Sequence, residues 1–222
     1  MKCLSRVVTV GMALILFTVV FSCAPANLYT ITMSYLPSET SVPEIRKGDQ
    51  SITVAGFIDG RHIDDTMLLG TVIHSNGTSI PVLPKYRRAA EVVTDGIKTC
   101  ISAQGYSLSL QNPSWDLKRD SIDPGWGNLL IGGSIDRLEV ICRKDNIKKT
   151  YQTEVTLTIV FADVHGKRII RTMEATATSS LTHIRFSEGL MGEQISETLT
   201  QAIRQVCADG KTIREMMEKV KN

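Results

Sequence analysis

The sequence lacks the residue patterns that mark most catalytic sites. Its four histidines are scattered, and none stands in an HxH or HExxH pattern or beside a cysteine at ligand spacing, so a zinc site has no support. The GxSxG pattern of many hydrolases is missing, and the pair Gly132-Gly133 is not followed by the lysine of a phosphate-binding loop. We therefore expect no enzymatic activity, no metal and no cofactor.

The chain also lacks an excess of charge once its first residues are set aside. It carries 25 Lys and Arg against 23 Asp and Glu, and the surplus is Lys2 and Arg6 near the start. A nucleic-acid-binding protein normally has a basic balance and a basic face. The remaining charges balance, which argues against nucleic acid as a partner.

There is one long apolar run, and it lies near the start of the chain. Residues 7–21 carry no charge and are mostly apolar. A short basic region, an apolar run of about 7–15 residues and a small residue before the cut are typical of a secretory signal peptide. A membrane-spanning helix needs roughly 20 apolar residues. The run therefore predicts a signal peptide over residues 1–22, with an uncleaved anchor helix as the alternative.

A cysteine, Cys23, stands at the end of this run, within the stretch Val20-Phe21-Ser22-Cys23-Ala24. The stretch resembles the lipobox of bacterial lipoproteins, although Phe21 stands where a smaller residue is usual. The resemblance implies that Cys23 is acylated and becomes the first residue of the mature protein. Several acyl chains on one residue hold a protein firmly at a membrane. Ala24, in place of Asp, implies an anchor in the outer membrane of the bacterial envelope, with the protein facing the periplasm.

Residues 23–50 are predicted to form a lipidated tether. Within it, Tyr29, Ile31 and Met33 alternate with Thr and Ser, and this period of two predicts a short half-buried strand. The remaining residues, 51–222, have the length of one ordinary domain.

The domain is predicted to be α+β. Apolar residues at helical spacing predict a helix from about Lys85 to Gln104, a second helix that Ser187 caps, and a short helix over the last residues. Between the first two, residues 129–181 predict an antiparallel three-strand meander with a bulge at Gly132-Gly133. We expect a mainly antiparallel sheet with two helices packed on one face. Its other face is predicted to be either solvated or a partner surface, and it carries Thr156, Thr158, Thr172, Thr176 and Thr178.

Three cysteines remain once Cys3, which leaves with the signal peptide, and the anchor Cys23 are set aside. These are Cys100, Cys142 and Cys207, and all three fall on predicted apolar faces. Buried free thiols are one interpretation. The other is a single disulfide in an oxidising compartment, with Cys100 and Cys207 as the pair and the third thiol unpaired.

Two loops contain candidate partner-binding residues. Asp59 and Arg61 follow a predicted strand, where they would either bind a ligand at the end of the sheet or form a turn in which they pair with each other. Trp115 and Trp126 lie among polar residues of a long loop over residues 111–127. Exposed tryptophans would anchor a partner or a membrane interface, and buried ones would hold the loop on the domain.

Four short stretches of the domain resemble the YajG-type family of bacterial lipoproteins. They are ITVAGFIDGR at residues 52–61, LGT at 69–71, AQGY at 103–106 and LIGGSID at 130–136. The chain also resembles, in the same stretches, the auxiliary lipoproteins of ABC-type lipid transporters. The resemblance implies a fold and an envelope location in common with these families, and it supplies no catalytic residues.

The leading functional hypothesis is a non-enzymatic binding or accessory module of an envelope transport or maintenance complex, with an envelope protein as its partner. Two alternatives stay open. One is a tethered activator of a cell-wall synthase. The other is a hydrolase or metal protein centred on residues 59–65, where His62 lies beside Asp64 and Asp65. A pocket with convergent polar groups would support this last hypothesis, and a solvated loop would oppose it.

Replacing Cys23 by Ser tests the predicted anchor, because only the cysteine thiol is acylated. We expect the native protein to partition with membranes and to carry an acyl mass on residue 23, and we expect the Cys23→Ser variant to lose both properties. Intact-mass measurement and membrane fractionation check this. Two soluble, unmodified proteins, or an uncut native precursor, would contradict the prediction.

Overall fold

The computed structural model of the protein describes residues 27–37, 51–207 and 211–221. The predicted signal peptide and Cys23 lie outside these ranges. Within them the chain forms, in order, β1 Tyr29–Ile31, β2 Ile52–Val54, β3 Ile58–Asp59, β4 Gly70–His74, β5 Ser79–Pro84, α1 Ala89–Ser102, β6 Leu129–Lys144, β7 Lys149–Asp163, β8 Arg168–His183, α2 Glu188–Cys207 and α3 Lys211–Lys221.

The eight strands of the described ranges form one mixed sheet around β6. The order is β1-β5-β4-β6-β7-β8, and β2 and β3 also pair with β6. The predicted antiparallel meander of β6, β7 and β8 is confirmed. The expectation of a mainly antiparallel sheet is wrong, because β2, β3 and β4 all run parallel to β6 and β1 runs parallel to β5. Parallel pairing needs a crossover connection, and the chain between β4 and β6 includes α1.

Three helices, not two, contribute to the core in the described part of the chain. Buried residues of α1 and α2 lie in one apolar cluster with the inward side chains of β6, β7 and β8. The short helix α3 joins the same cluster through Ile213, Met216 and Met217, whose spacing of three and four residues places them on one helical face. The α+β class is therefore correct, and the helix count is corrected to three.

The opposite face of the sheet is polar over β7 and β8. Val155, Leu157 and Ile159 of β7 point into the core, so the alternating residues Thr156 and Thr158 point outward. The register pairs these two threonines with Thr176 and Glu174 of β8, which are exposed. The threonine-rich face expected from the sequence is thus present, and it lies away from the core helices.

The glycine pair in β6 gives room for neighbouring rings and does not form a bulge. Gly132 and Gly133 pair in regular register with β7, and the irregularity falls between Ile135 and Arg137. A Cβ on Gly132 would lie 2.6 Å from Cε3 of Trp115, and one on Gly133 would lie 2.1 Å from the carbonyl oxygen of Thr158. Glycine is needed here because both sides of the strand are in close contact.

The strand predicted inside the tether belongs to the folded unit. β1 pairs with β5, and Met33 just beyond it is buried in the core. The backbone N–H of Leu36 donates to Oγ1 of Thr200 in α2 at 2.9 Å. The chain between Cys23 and the sheet is therefore much shorter than a tether that runs to residue 50.

A methyl group at Gly133 should destabilise the fold because backbone atoms of β7 cannot move away from it. We expect Gly133→Ala to lower the free energy of unfolding by about 1–3 kcal/mol. Gly56→Ala is the matched control, since its added Cβ would meet only the carbonyl oxygen of Pro113 at 3.9 Å. Urea denaturation of both variants measures the difference. Equal midpoints would show that the close approach is not needed.

Candidate functional site

The candidate site begins at a gap along one edge of β6. β3 ends at Asp59, opposite Ile135, and β4 begins at Gly70, opposite Val140. Between these two points β6 has no strand partner on this edge. The loop of residues 60–69 crosses the gap, and the carbonyl oxygen of Leu138 faces it without a backbone donor. A buried carbonyl without a donor is costly, so the loop must supply one.

Arg61 supplies this donor and closes the gap. Its side chain is only 4% exposed, and its Nη1 donates to the carbonyl oxygens of Leu138 at 3.1 Å and Leu68 at 2.7 Å. Nη2 donates to Oδ2 of Asp59 and to the carbonyl oxygen of Thr66, both at 2.7 Å. Nε donates to Oδ1 of Asp59 at 2.8 Å. These bonds use all five N–H donors of a guanidinium.

Of the two alternatives that the sequence offered for Asp59 and Arg61, the structure shows the turn in which they pair with each other. The carboxylate binds the guanidinium through both oxygens, which is the stronger geometry for such a pair. Because every donor of Arg61 is used within the chain, its guanidinium has none left for a ligand. We refer to Asp59, Arg61 and the three carbonyl groups as the arginine latch.

A groove of about 450 Å³ opens beside the arginine latch. The extra residue of the bulge, Asp136, lies in its wall and accepts hydrogen bonds from the hydroxyl groups of Ser134 and Thr158, each at 2.6 Å. Arg137 and Glu154 form an ion pair at 2.9 Å in the same wall. The remaining lining residues are His62, Ile63, Leu68, Leu69, Gly70, Leu138, Glu139 and Thr156.

The groove continues across the polar face of the sheet. A second depression of about 480 Å³ shares Arg137, Glu139 and Glu154 with the first and extends over Gln152 and Thr178. Arg61 is neutralised by Asp59, and Arg137 is paired with Glu154. Among the residues that the structure describes, Glu139 and Asp136 have no cationic partner within salt-bridge distance, so the combined groove has an excess of negative charge there.

Thr156 of the groove lies on the face that the sequence offered as a possible partner surface, whereas the charged groove residues on β6 and β7 were not among the sequence candidates, although a signal for some of them exists. The inward residues of β6 are spaced by two up to Ile135, and the next one is Leu138. A step of three in an alternating strand indicates an extra residue, here Asp136, which turns it and Arg137 outward. Glu154 could not be recognised in this way, because it follows the regular alternation of β7.

The loop candidates for acid–base or metal chemistry lie at the surface. His62, Asp64 and Asp65 are exposed, and Oδ1 of Asp65 accepts the backbone N–H of Met67 at 2.8 Å in a local turn. Within the described residues, no three His, Cys, Asp or Glu side chains come together where they could hold a metal ion. His62 reaches the rim of the groove, whereas the carboxylate of Asp59 is used by the arginine latch.

The sequence left open whether Trp115 is exposed or buried, and in the structure it is buried. Its side chain is part of a small second core on the outer side of the sheet, with Leu130, Val160 and Ile122. It is 1% exposed, and its indole N–H donates to the carbonyl oxygen of Lys118 at 2.9 Å. Trp126 is half-buried against the same core. Trp115 therefore holds the long loop on the sheet, and Trp126 offers only part of its ring to a partner.

The fold is found in a protein of known structure. Protein XCC0632 from Xanthomonas campestris, of the family DUF330, matches with a TM-score of 0.54 at 13% identity, over 86% of this chain and 99% of that one. At this identity the likeness shows the fold alone. No family model matches the sequence, and no curated protein does, so the YajG-type resemblance stays a prediction.

Two lipoproteins are more distant in structure. A minor lipoprotein from Acinetobacter baumannii has a TM-score of 0.41 at 9% identity, over 75% of this chain and 95% of that one. Lipoprotein GNA1162 from Neisseria meningitidis has a TM-score of 0.36 at 10% identity, over 68% and 96%. Likenesses at this level carry no argument about the present chain.

No helix in residues 27–37, 51–207 and 211–221 is both long enough and apolar enough to cross a membrane.

Removal of the Arg61 side chain should destabilise the protein much more than removal of the exposed Arg137. Arg61→Ala removes the guanidinium from a partly buried carboxylate, which keeps only the long bond from the backbone N–H of residue 61 at 3.4 Å, and from three carbonyl groups. We expect a loss of about 3–5 kcal/mol. Arg137→Ala removes one exposed ion pair and should cost less than about 1 kcal/mol. Chemical denaturation gives both values, and hydrogen exchange of residues 60–69 should rise in Arg61→Ala alone. A similar small loss in both variants would rule out a structural role for the arginine latch.

Proposed function

We propose that this chain is a lipid-anchored, non-enzymatic binding module of the bacterial envelope, held at the outer membrane, facing the periplasm. We propose further that it receives a segment of a partner protein on the polar face of its sheet, as an accessory of an envelope transport or maintenance complex. Support for the location comes from the signal-peptide pattern and the lipobox around Cys23. The YajG-type resemblance supports the same location.

The uncovered polar face of the sheet is the observation that carries the proposed binding role. The helices cover one face of β6, β7 and β8, and the long loop covers only one end of the other. The rest of that face presents hydroxyl, carboxamide and carboxylate groups in rows along the strands. Such groups hydrogen-bond readily to a peptide backbone, and polar interfaces with bridging water are normal for transient partners.

The charge of the groove favours a basic partner segment. Within the described ranges, Asp136 and Glu139 have no cationic side chain within salt-bridge distance, and Ile63 and Leu68 give the groove wall an apolar part. A peptide with a Lys or Arg beside an apolar residue would complement both features. Electrostatic complementarity of this kind contributes mainly to specificity and to the rate of association.

The short connection to the anchor favours an accessory that works at the membrane surface. Five residues lie between Cys23 and Tyr29. An extended chain spans at most about 3.3–3.6 Å per residue, so the six steps from Cys23 to Tyr29 cover roughly 20 Å. A module held this close to the bilayer reaches partners at that surface. An activator that must extend toward a distant cell-wall synthase would need a longer tether.

Photo-crosslinking from single positions in cells tests the partner surface. We expect a crosslinking amino acid at Thr178, on the polar face, to give a protein adduct of discrete mass. The same group at Glu197, on the exposed side of α2, should give none. The reversal Glu139→Lys should weaken the adduct formed from Thr178 at least several-fold, because it removes the negative charge of the groove.

The matched control for charge is Glu197→Lys, which changes net charge equally and should leave the Thr178 adduct unchanged. Adducts of equal yield from Thr178 and Glu197, or an adduct that Glu139→Lys does not reduce, would contradict the proposed surface. Membrane fractionation of each variant establishes that the anchor is unaffected.

A further inference from the structure

Helices α1 and α2 approach each other closely at Gly96. A Cβ at this position would lie 2.6 Å from Cδ1 of Ile203 and 3.1 Å from Cβ of Tyr35. The missing side chain therefore allows α2 and the segment that contains Tyr35 to pack directly on the backbone of α1. Such close packing also brings side chains one turn further along each helix into contact.

One turn further along each helix stand Cys100 and Cys207. Both are free and buried, at 6% and 5% exposure, and both belong to the core cluster against which Tyr35 packs. Gln104 just after α1 donates its side-chain amide to the carbonyl oxygen of Cys207, which fixes the ends of the two helices against each other.

The surroundings make the two thiols chemically different. The hydrogen bond from Cys207, followed by that from Tyr35, holds the pKa of the Cys100 thiol below its ordinary value. The pKa of Cys207 is raised because it donates that hydrogen bond and because it is buried. Since the thiolate is the nucleophile in disulfide exchange, Cys100 is the thiol that reacts first.

The third thiol lies elsewhere in the fold. Cys142 is an inward residue of β6, where its cross-strand neighbour is Tyr151. Burial raises the pKa of Cys142. It therefore serves as an internal reference for a buried cysteine that has no second thiol beside it.

We propose that Cys100 and Cys207 form a disulfide that links α1 to α2 when the protein folds in an oxidising compartment. The oxidant is a small or protein disulfide of the glutathione type. The Cys100 thiolate attacks one sulfur of the donor, forms a mixed disulfide and releases one thiol. The Cys207 thiolate then attacks the Cys100 sulfur and releases the second thiol, so the donor gains two electrons and the two protons that the cysteines lose.

The disulfide would close the long loop that contains β6, β7 and β8. Cross-links across long loops stabilise a fold mainly by restricting the unfolded chain. Occurrence of the bond in the cell depends on the proposed envelope location, whereas its geometry does not. The bond would also hold the end of α2 in place, directly before the start of α3.

Refolding of the purified full chain from urea in a glutathione redox buffer tests the proposal. We expect the refolded protein to lose the mass of two hydrogen atoms, to give a linked peptide pair with Cys100 and Cys207, and to leave Cys142 open to alkylation. Its Tm should exceed that of the reduced protein by roughly 5–15 °C. Cys142→Ser should form the same link, and Cys207→Ser should form none and should stop at the mixed disulfide of Cys100 with glutathione.

Three outcomes would overturn the proposal: no internal link, a link that involves Cys142, or glutathione adducts alone. Alkylation of the protein as isolated from cells, before any refolding, separates this inference from the proposed location. A protein that forms the link on refolding but is isolated with a free Cys100 supports the pairing and contradicts the envelope location. A link in both samples supports the two proposals together.

Discussion

The backbone of β6 needs partners along both edges, and the rest of the fold is arranged around that requirement. One edge is paired continuously with β7. The other edge is shared by β2, β3 and β4, which are too short to cover it and leave a gap. Arg61 closes the gap with five hydrogen bonds, because a planar guanidinium can reach several carbonyl groups and a carboxylate at once.

The same gap creates the candidate site. A strand in that position would cover Asp136 and Arg137, whereas the arginine latch leaves a groove beside them. The bulge turns these two side chains toward the polar face, where Glu139 and Glu154 continue the groove. Buried Arg61 maintains the wall of the groove, beside which Asp136 is exposed and Glu139 and Glu154 are half-buried.

Local patterns predicted local structure well in this chain. The alternation of Val155 to Phe161 and the helical spacing around Val93 and Ile97 gave the meander and α1, because each pattern reports which side of its own element is apolar. The sequence interpretation erred where two distant segments meet. Gly132 and Gly133 indicated a bulge, yet they exist to admit Trp115 on one side and the backbone of β7 on the other. No local sequence pattern indicates that β2, β3 and β4 run parallel to β6.

The sequence by itself determined the α+β class and the apolar faces, and it supplied the prediction of export and of an anchor at Cys23. Each of these depends on residues that are adjacent along the chain or along one element. Tertiary structure alone decided that Arg61 is fully bonded within the chain and that Trp115 is buried. It also decided that Cys100 and Cys207 lie in one cluster between two packed helices and that β1 at Tyr29–Ile31 belongs to the folded unit. These features arise from contacts between residues far apart in the chain. Only those contacts show whether the donors of Arg61 are already used and which side chains surround a cysteine.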